Sequence, residues 1–255
     1  MAIDLADKTS NGNDLTNAGA TEVTSGLPFA ASTIAIDLEN SSTETNNMYA
    51  DDSASLSITG DITVEAWIKP ESLVPGGRNY TILAKHDTGS GDGISYIFIM
   101  NSSETLSFVW SSNGTNISNE NSSSAIYTVA GSWFHVAATL DVSAQDCILY
   151  KDGSAIGSAL TDGSQTSIFD GGQVMAIGNR YTNGAFWAEQ GFDGSVDEVR
   201  IWNDVRTSTE ISDNYQSELT GTESGLVAYY PFEALAAGGG GAGLPSWKNL
   251  LGVGQ

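Results

Sequence analysis

The stretch FDGSVDEVRIW (192–202) sets two carboxylates, Asp197 and Glu198, side by side in a run of apolar residues. Side chains alternate along a strand, so Val196, Glu198, Arg200 and Trp202 share one face and Asp197, Val199 and Ile201 share the other. This turns Asp197 inward. An unpaired carboxylate on an apolar face costs several kcal/mol, so Asp197 calls for backbone N–H groups, a cation or a metal ion. Nucleophilic chemistry has less to work with. No Gly-x-Ser-x-Gly, phosphate-binding Gly loop or paired His motif occurs, and the histidines lie apart, His86 beside a turn in KHD and His135 within WFHVAA. The chain reads as a non-enzyme.

The totals narrow the partners. With 9 Lys plus Arg against 31 Asp plus Glu, the net charge is -22, and such a surface repels a phosphate backbone or an anionic membrane. Nucleic acid is excluded as a partner. The same charge favours divalent cations and solubility. One cysteine, Cys147, rules out an internal disulfide framework and a cysteine-cluster zinc site. No run of roughly 18 apolar residues predicts membrane insertion. MAIDLADKTS lacks the basic-then-apolar pattern of a secretory signal. The expected location is extracellular or on a cell or virion surface, reached after removal of a leader or by another route such as a lysing virus.

Abundant Gly, Ser, Thr and Asn, scarce Pro and short apolar stretches between turn signals predict a meander of antiparallel strands. In ITVEAWIKP, Ile62, Val64, Ala66 and Ile68 alternate with Thr63, Glu65, Trp67 and Lys69. YTILAK, ISYIFIM, TLSFVWS, WFHVAATLD and CILYKDG follow, each closed by Gly, Asn, Asp or Ser clusters. Trp67 and Trp133 are expected in the core. A single short helix is expected near residues 207–218, where Ser208 caps VRTSTEISDNYQSEL and Ile211, Tyr215 and Leu219 fall on one face. GLVAYYPFE (225–233) resumes a strand and ends the domain, which spans 1–233. Residues 234–243 read as a Gly/Ala-rich linker and 244–255 as a hydrophobic tail.

Three stretches together resemble the laminin-G-like jelly rolls of the concanavalin A-like lectin and glucanase superfamily. They are DITVEAWIKP; GSWFHVAATLDVSAQDCILYKDGSAIGSAL, with a Trp-aromatic-His-Val-Ala strand and a Tyr-x-Asp-Gly hairpin; and FDGSVDEVRIWNDVRTSTEI, with a Gly-x-x-Asp-Glu strand running into a helix. The resemblance covers about residues 20–232 and implies an all-β, two-sheet antiparallel β-sandwich. One departure stands out. GLVAYYPFE looks like a strand that commonly opens such a domain, yet here it lies at the C-terminal end, while the stretch that should follow it resembles ADKTSNGNDLTNAG at the N-terminus. Either this strand returns to close its own sandwich, or it pairs with a neighbouring subunit.

The resemblance also implies candidate sites. Ca²⁺ is often held at the rim of such sandwiches by about six to eight hard oxygens; the candidates are Asp197 and Asp193, joined by Asp7, Asn11, Asn13 and Asp14 if the termini meet. The alternative is that Asp197 accepts backbone N–H bonds and Glu198 pairs with Arg200. Glucanase activity is not expected, because no Glu-x-Asp-x-x-Glu pattern occurs and adjacent carboxylates point to opposite faces. For His135 the resemblance implies a packing role. Sugar binding in such folds uses aromatic rings and Asn or Asp groups. The candidates are Arg180, Tyr181, Asn183, Phe186 and Trp187 in GNRYTNGAFWAEQ, and Trp110 and Asn113 near SSNGTN. The expected function is a non-catalytic module binding a glycan or glycoprotein surface, with or without Ca²⁺. The alternative is an assembly protein, such as a phage virion decoration or tail component or a filament subunit, that docks a neighbour through the C-terminal strand and tail.

Overall fold

The computed structural model describes residues 3–40, 46–89, 93–121, 124–161, 165–183, 185–187 and 189–233. The expected linker and tail beyond residue 233 lie outside these. In chain order the elements begin with β1 (Thr16–Ala18), β2 (Thr21–Val23), β3 (Ala35–Leu38), β4 (Asn47–Ala50), β5 (Ile62–Pro70) and β6 (Asn79–Asp87). Next come β7 (Gly93–Asn101), β8 (Leu106–Gly114), β9 (Ile117–Asn121), β10 (Phe134–Asp141), β11 (Asp146–Lys151) and β12 (Ser154–Thr161). The last are β13 (Met175–Ile177), β14 (Tyr181–Thr182), β15 (Ala185–Phe186), β16 (Gly194–Trp202), the helix α1 (Ser208–Asn214) and β17 (Leu226–Tyr230).

Two antiparallel sheets pack face to face, as the alternating pattern predicts. One has seven strands in the order β1-β4-β13-β6-β7-β8-β9; the other runs β12-β11-β10-β5-β16-β3-β2, with β17 also paired to β16. Between them lies one large core. Ile62, Val64, Ala66 and Ile68 of β5 enter it from one side, and Tyr96, Phe98, Phe108 and Trp110 from the other. Two sequence expectations change here. Trp67 is buried, but on the outer side of its sheet, stacked on Tyr215 at 5.9 Å. Trp133 is only half-buried and donates to the Gly26 carbonyl at 2.5 Å.

The displaced strand closes its own sandwich. β3 and β17 share one side of β16, β3 along Gly194–Val196 and β17 along Val199–Trp202. The N-terminal segment then seals the free edge of β17: Lys8 N–H donates to the Tyr229 carbonyl at 3.0 Å, and Tyr229 N–H donates to Asp7 Oδ1 at 3.1 Å. These bonds satisfy backbone groups that would otherwise offer an edge to a second chain. The strand-addition motive for an assembly role falls with them.

The helix is shorter than its sequence pattern. Thr207, not Ser208, is the N-cap, in a capping box with Glu210. The helix stops at Asn214 because the carbonyls that follow serve other partners, as the buried charges beneath them show.

Candidate functional site

The carboxylates of the opening motif sit on the outer face of the eight-stranded sheet, and a β-bulge puts them there. Asp197 pairs in register with Trp67, and Arg200 with Glu65, so one extra residue lies between. That residue is Glu198, held at φ 52°. The bulge resets the alternation. Val196, Val199 and Ile201 all enter the core, whereas Asp197 shares the outward side of Trp67. The inward orientation read from strict alternation is therefore corrected.

This outer face carries a sealed charge network. Arg200 Nη2 donates to Glu198 Oε2 at 2.7 Å and to the Ser217 carbonyl at 2.5 Å, while Nη1 donates to the Asn214 carbonyl at 3.1 Å. Tyr229 OH donates to Glu198, and Trp202 Nε1 donates to Glu65 Oε1 at 2.7 Å. His135 Nε2 lies 3.2 Å from Glu65 Oε2. Trp67 Nε1 donates to the Tyr215 carbonyl at 2.6 Å. The segment after the helix thus caps the network, and no side chain in it is more than 4 % exposed. Burial lowers the His135 pKa, against the pull of Glu65, so this ring is neutral at pH 7. The pairing of Glu198 with Arg200 is the one expected from sequence.

Among the described residues Asp197 has two donors: Ser32 Oγ gives a hydrogen bond to Oδ2 at 2.6 Å and Glu198 N–H to Oδ1 at 2.8 Å. Burial pushes its pKa well above the usual carboxylate range, and the charge of Glu198 adds to this against the two hydrogen bonds. The folded carboxyl holds its proton more tightly than the unfolded one. Stability therefore falls as pH rises from the ordinary Asp range through the raised folded value. Replacing Asp197 by Asn is expected to raise stability at pH 7–8 by at least ~1 kcal/mol, roughly 2–4 °C in Tm, with little change near pH 4. Thermal unfolding across that pH range checks this; a less stable variant at pH 8 would refute it.

The six expected metal ligands are not gathered into one coordination set. Asp193 bonds elsewhere, to Ser72 Oγ at 3.2 Å and Asn40 N–H at 3.3 Å. Asp7 accepts Thr9 N–H and Tyr229 N–H on Oδ1, and Thr9 Oγ and Asn13 N–H on Oδ2. Asp14 accepts Asp7 N–H. Asn13 Oδ1 takes the hydroxyls of Ser53 and Ser55, while Asn11 and Asn13 donate to the Val227 carbonyl at 2.8 and 3.1 Å. Asp193 and Asp197 each bond to separate partners, apart from the N-terminal four, and most of these oxygens already accept a protein donor. Among the described residues no group of three or more His, Cys, Asp or Glu could hold a metal ion. The termini do meet, as a hydrogen-bonded latch.

The aromatic loop lies on the opposite side of the molecule, against the outer face of the seven-stranded sheet. One register row crosses that face: Thr16, Tyr49, Ala176, Ala84, Ile97, Val109 and Asn119. The β14–β15 hairpin packs beside Tyr49, whose ring is 5.5 Å from Phe186, and Phe186 meets Tyr181 edge-on at 5.2 Å. His86 Nδ1–H donates to the Tyr181 carbonyl at 2.8 Å, and Asn183 N–H donates to Asp87 Oδ1 at 3.0 Å. A Cβ at Gly89 would come within 1.9 Å of Asn183 Oδ1, so a glycine is needed for this approach. Burial and the nearby Arg180 charge lower the His86 pKa.

Arg180 lies over the Trp187 ring at 5.0 Å and donates through Nη2 to Gln190 Oε1. Trp187 N–H donates to the Arg180 carbonyl, Gln190 N–H to that of Trp187, and Thr81 N–H to that of Gln190. The loop is thereby tied to β6 while Trp187 stays 40 % exposed. All five residues expected here are brought together. Trp110 and Asn113 are not. Trp110 is fully buried in the core, stacked on Phe108 at 6.1 Å. Asn113 uses Oδ1 to accept Thr115 N–H and Asn116 N–H, forming its own turn. Sequence reasoning missed Tyr49 and His86, because their proximity arises from strand pairing rather than spacing, and it did not single out Gln190 at the end of the same stretch. A cavity of about 470 Å³ opens near Asn11, Ser55, Asp61 and Asn203, but no aromatic side chain lines it.

A two-sheet sandwich with a braced aromatic loop on one outer face defines a lectin-like jelly roll. The family model described as the Concanavalin A-like lectin/glucanases superfamily matches residues 42–212, and the chain belongs to that family. The comparison with curated proteins gives no match. Among solved structures, the chain is similar to the heptameric SAP-like pentraxin of Limulus polyphemus, with 18% identity over 69% of this chain and 78% of that one and a TM-score of 0.51. It is similar to domain 4 of AbnA, a GH43 extracellular arabinanase from Geobacillus stearothermophilus solved with arabinotriose, with 18% identity, 82% and 92% coverage and a TM-score of 0.58. It also resembles the binding domain of Botulinum neurotoxin serotype G, with 14% identity, 82% of this chain but 47% of that one, and a TM-score of 0.60. At such identities these likenesses show the fold. No helix among the described residues is long and apolar enough to cross a membrane.

Proposed function

We propose that the protein is a non-catalytic carbohydrate-binding module that engages a glycan or glycosylated surface through residues 180–190, outside the cell or on a cell or virion surface. Trp187 carries the reading. A large ring left exposed at the base of the β14–β15 hairpin, with its backbone N–H and carbonyl both hydrogen-bonded, offers a sugar face a rigid stacking platform. Tyr181, Phe186 and Tyr49 form an aromatic cluster in the same hairpin region. The bound arabinotriose of the AbnA domain supports the ligand class. A non-catalytic role is supported by the carboxylates of the outer network: Glu65, Asp197 and Glu198 are at most 3 % exposed, which denies a substrate access to them.

The test is a glycan array with the wild type and Trp187→Ala, in millimolar Ca²⁺ and again in EDTA. The variant is expected to lose about 10- to 30-fold in affinity, the size of an aromatic hot spot. Equal binding in both buffers is expected, because the six candidate ligands are not gathered into one coordination set. Loss in EDTA with the fold intact would restore a Ca²⁺ role, and silence in both buffers would refute the glycan reading.

A further inference from the structure

Arg180 differs from the other arginines of this acidic protein. The other three arginines each lie against a carboxylate: Arg78 at 3.6 Å from Glu189, Arg200 at 2.7 Å from Glu198 and Arg206 at 2.7 Å from Glu210. Arg180 has no carboxylate within salt-bridge distance among the described residues, although the chain carries 31 Asp plus Glu. Its polar contacts are the neutral Gln190 amide through Nη2 and the Trp187 ring beneath its plane. Its Nε is buried without a hydrogen-bond partner. Burial alone lowers its pKa, to about 10, so it remains charged at neutral pH with no opposing charge to offset desolvation.

We propose that Arg180 receives an anionic group of the ligand, a sugar carboxylate, while Trp187 carries the sugar ring. This rests on the glycan reading above and names its substrate class. A partly buried guanidinium lacking a counter-charge gains most from a carboxylate, because the charge-assisted bond replaces lost hydration. The guanidinium covers one face of the indole, so a sugar takes the other face and its acidic substituent meets Arg180 around the edge of the ring. The net charge of -22 limits the ligand further. A long polyanion is repelled by the surface as a whole, whereas a single acidic residue on a neutral oligosaccharide meets a local cation that has no carboxylate partner among the described residues. The ligand is therefore a mostly neutral glycan with one acidic unit.

The experiment compares paired probes by titration: lactose against sialylated and sulfated lactose, and cellobiose against an aldobiouronic acid. The wild type is expected to prefer each carboxylated member by roughly 10-fold or more over its neutral parent, and the preference should shrink as salt rises from about 50 mM to about 500 mM. In Arg180→Gln the preference should collapse, so that acidic and neutral members bind alike, with thermal unfolding confirming the fold. Equal binding of both members by the wild type, or a preference that survives in Arg180→Gln, overturns this inference while leaving the glycan reading standing. A stronger preference for the sulfated sugar overturns the carboxylate assignment. Silence toward every probe overturns both readings.

Discussion

Arg200→Leu is expected to cost about 3–5 kcal/mol, a large part of the roughly 5–15 kcal/mol that stabilises a typical domain. The guanidinium is 1 % exposed and joins four groups: Glu198, Glu65 and the carbonyls of Asn214 and Ser217. Leucine can replace its packing but none of these bonds. Two buried carboxylates then lose their cation, and the segment after the helix loses its tether. Burial opposes the charge of Glu65, yet the His135 contact and the Arg200 charge outweigh it and hold this carboxyl below its usual range. Without Arg200 that balance reverses. Urea denaturation is the measurement, and a loss below about 1 kcal/mol would show that the network does not hold the helix segment. A second variant, Arg200→Leu combined with Glu198→Leu, should recover part of the loss, since an unpaired buried carboxylate costs more than an apolar replacement.

The second large effect is a contrast between two tryptophans. Trp110→Ala should destabilise by about 3–5 kcal/mol, the usual cost of removing a large buried ring. Its indole is fully buried between Phe108 and the opposing sheet, so truncation leaves a cavity in the main core. Trp187→Ala removes a ring that is 40 % exposed, and its stability should stay within about 0.5 kcal/mol of wild type. The order reverses for ligand binding. A Trp110 variant that still folds should bind as the wild type does, while the Trp187 variant should not. Denaturation and glycan titration on both proteins test the pair; equal destabilisation of the two would contradict the placement of Trp187 on the surface.

The sequence by itself determined the sandwich, because a period of two in short apolar stretches leaves few other ways to bury one face. It also determined the aromatic loop. Arg180, Tyr181, Asn183, Phe186 and Trp187 are consecutive or nearly so, and a local cluster remains a cluster wherever the fold carries it. The tertiary structure decided what depends on residues far apart. Strict alternation turned Asp197 inward, but the bulge at Glu198 inserted one residue and put Asp197 on the outer face with Glu198. Trp110 and Trp187 look alike as rings beside turn residues, and only the stacking of the sheets buries one and exposes the other. Asp7, Asn11, Asn13 and Asp14 have the composition of a cation loop. What they bind instead was settled by β17, more than 200 residues away, whose Tyr229 N–H donates to Asp7 and whose Val227 carbonyl accepts the amides of Asn11 and Asn13. A one-dimensional pattern encodes faces and neighbours along the chain, but a carboxylate's partner is set by whichever donor the fold brings to it first.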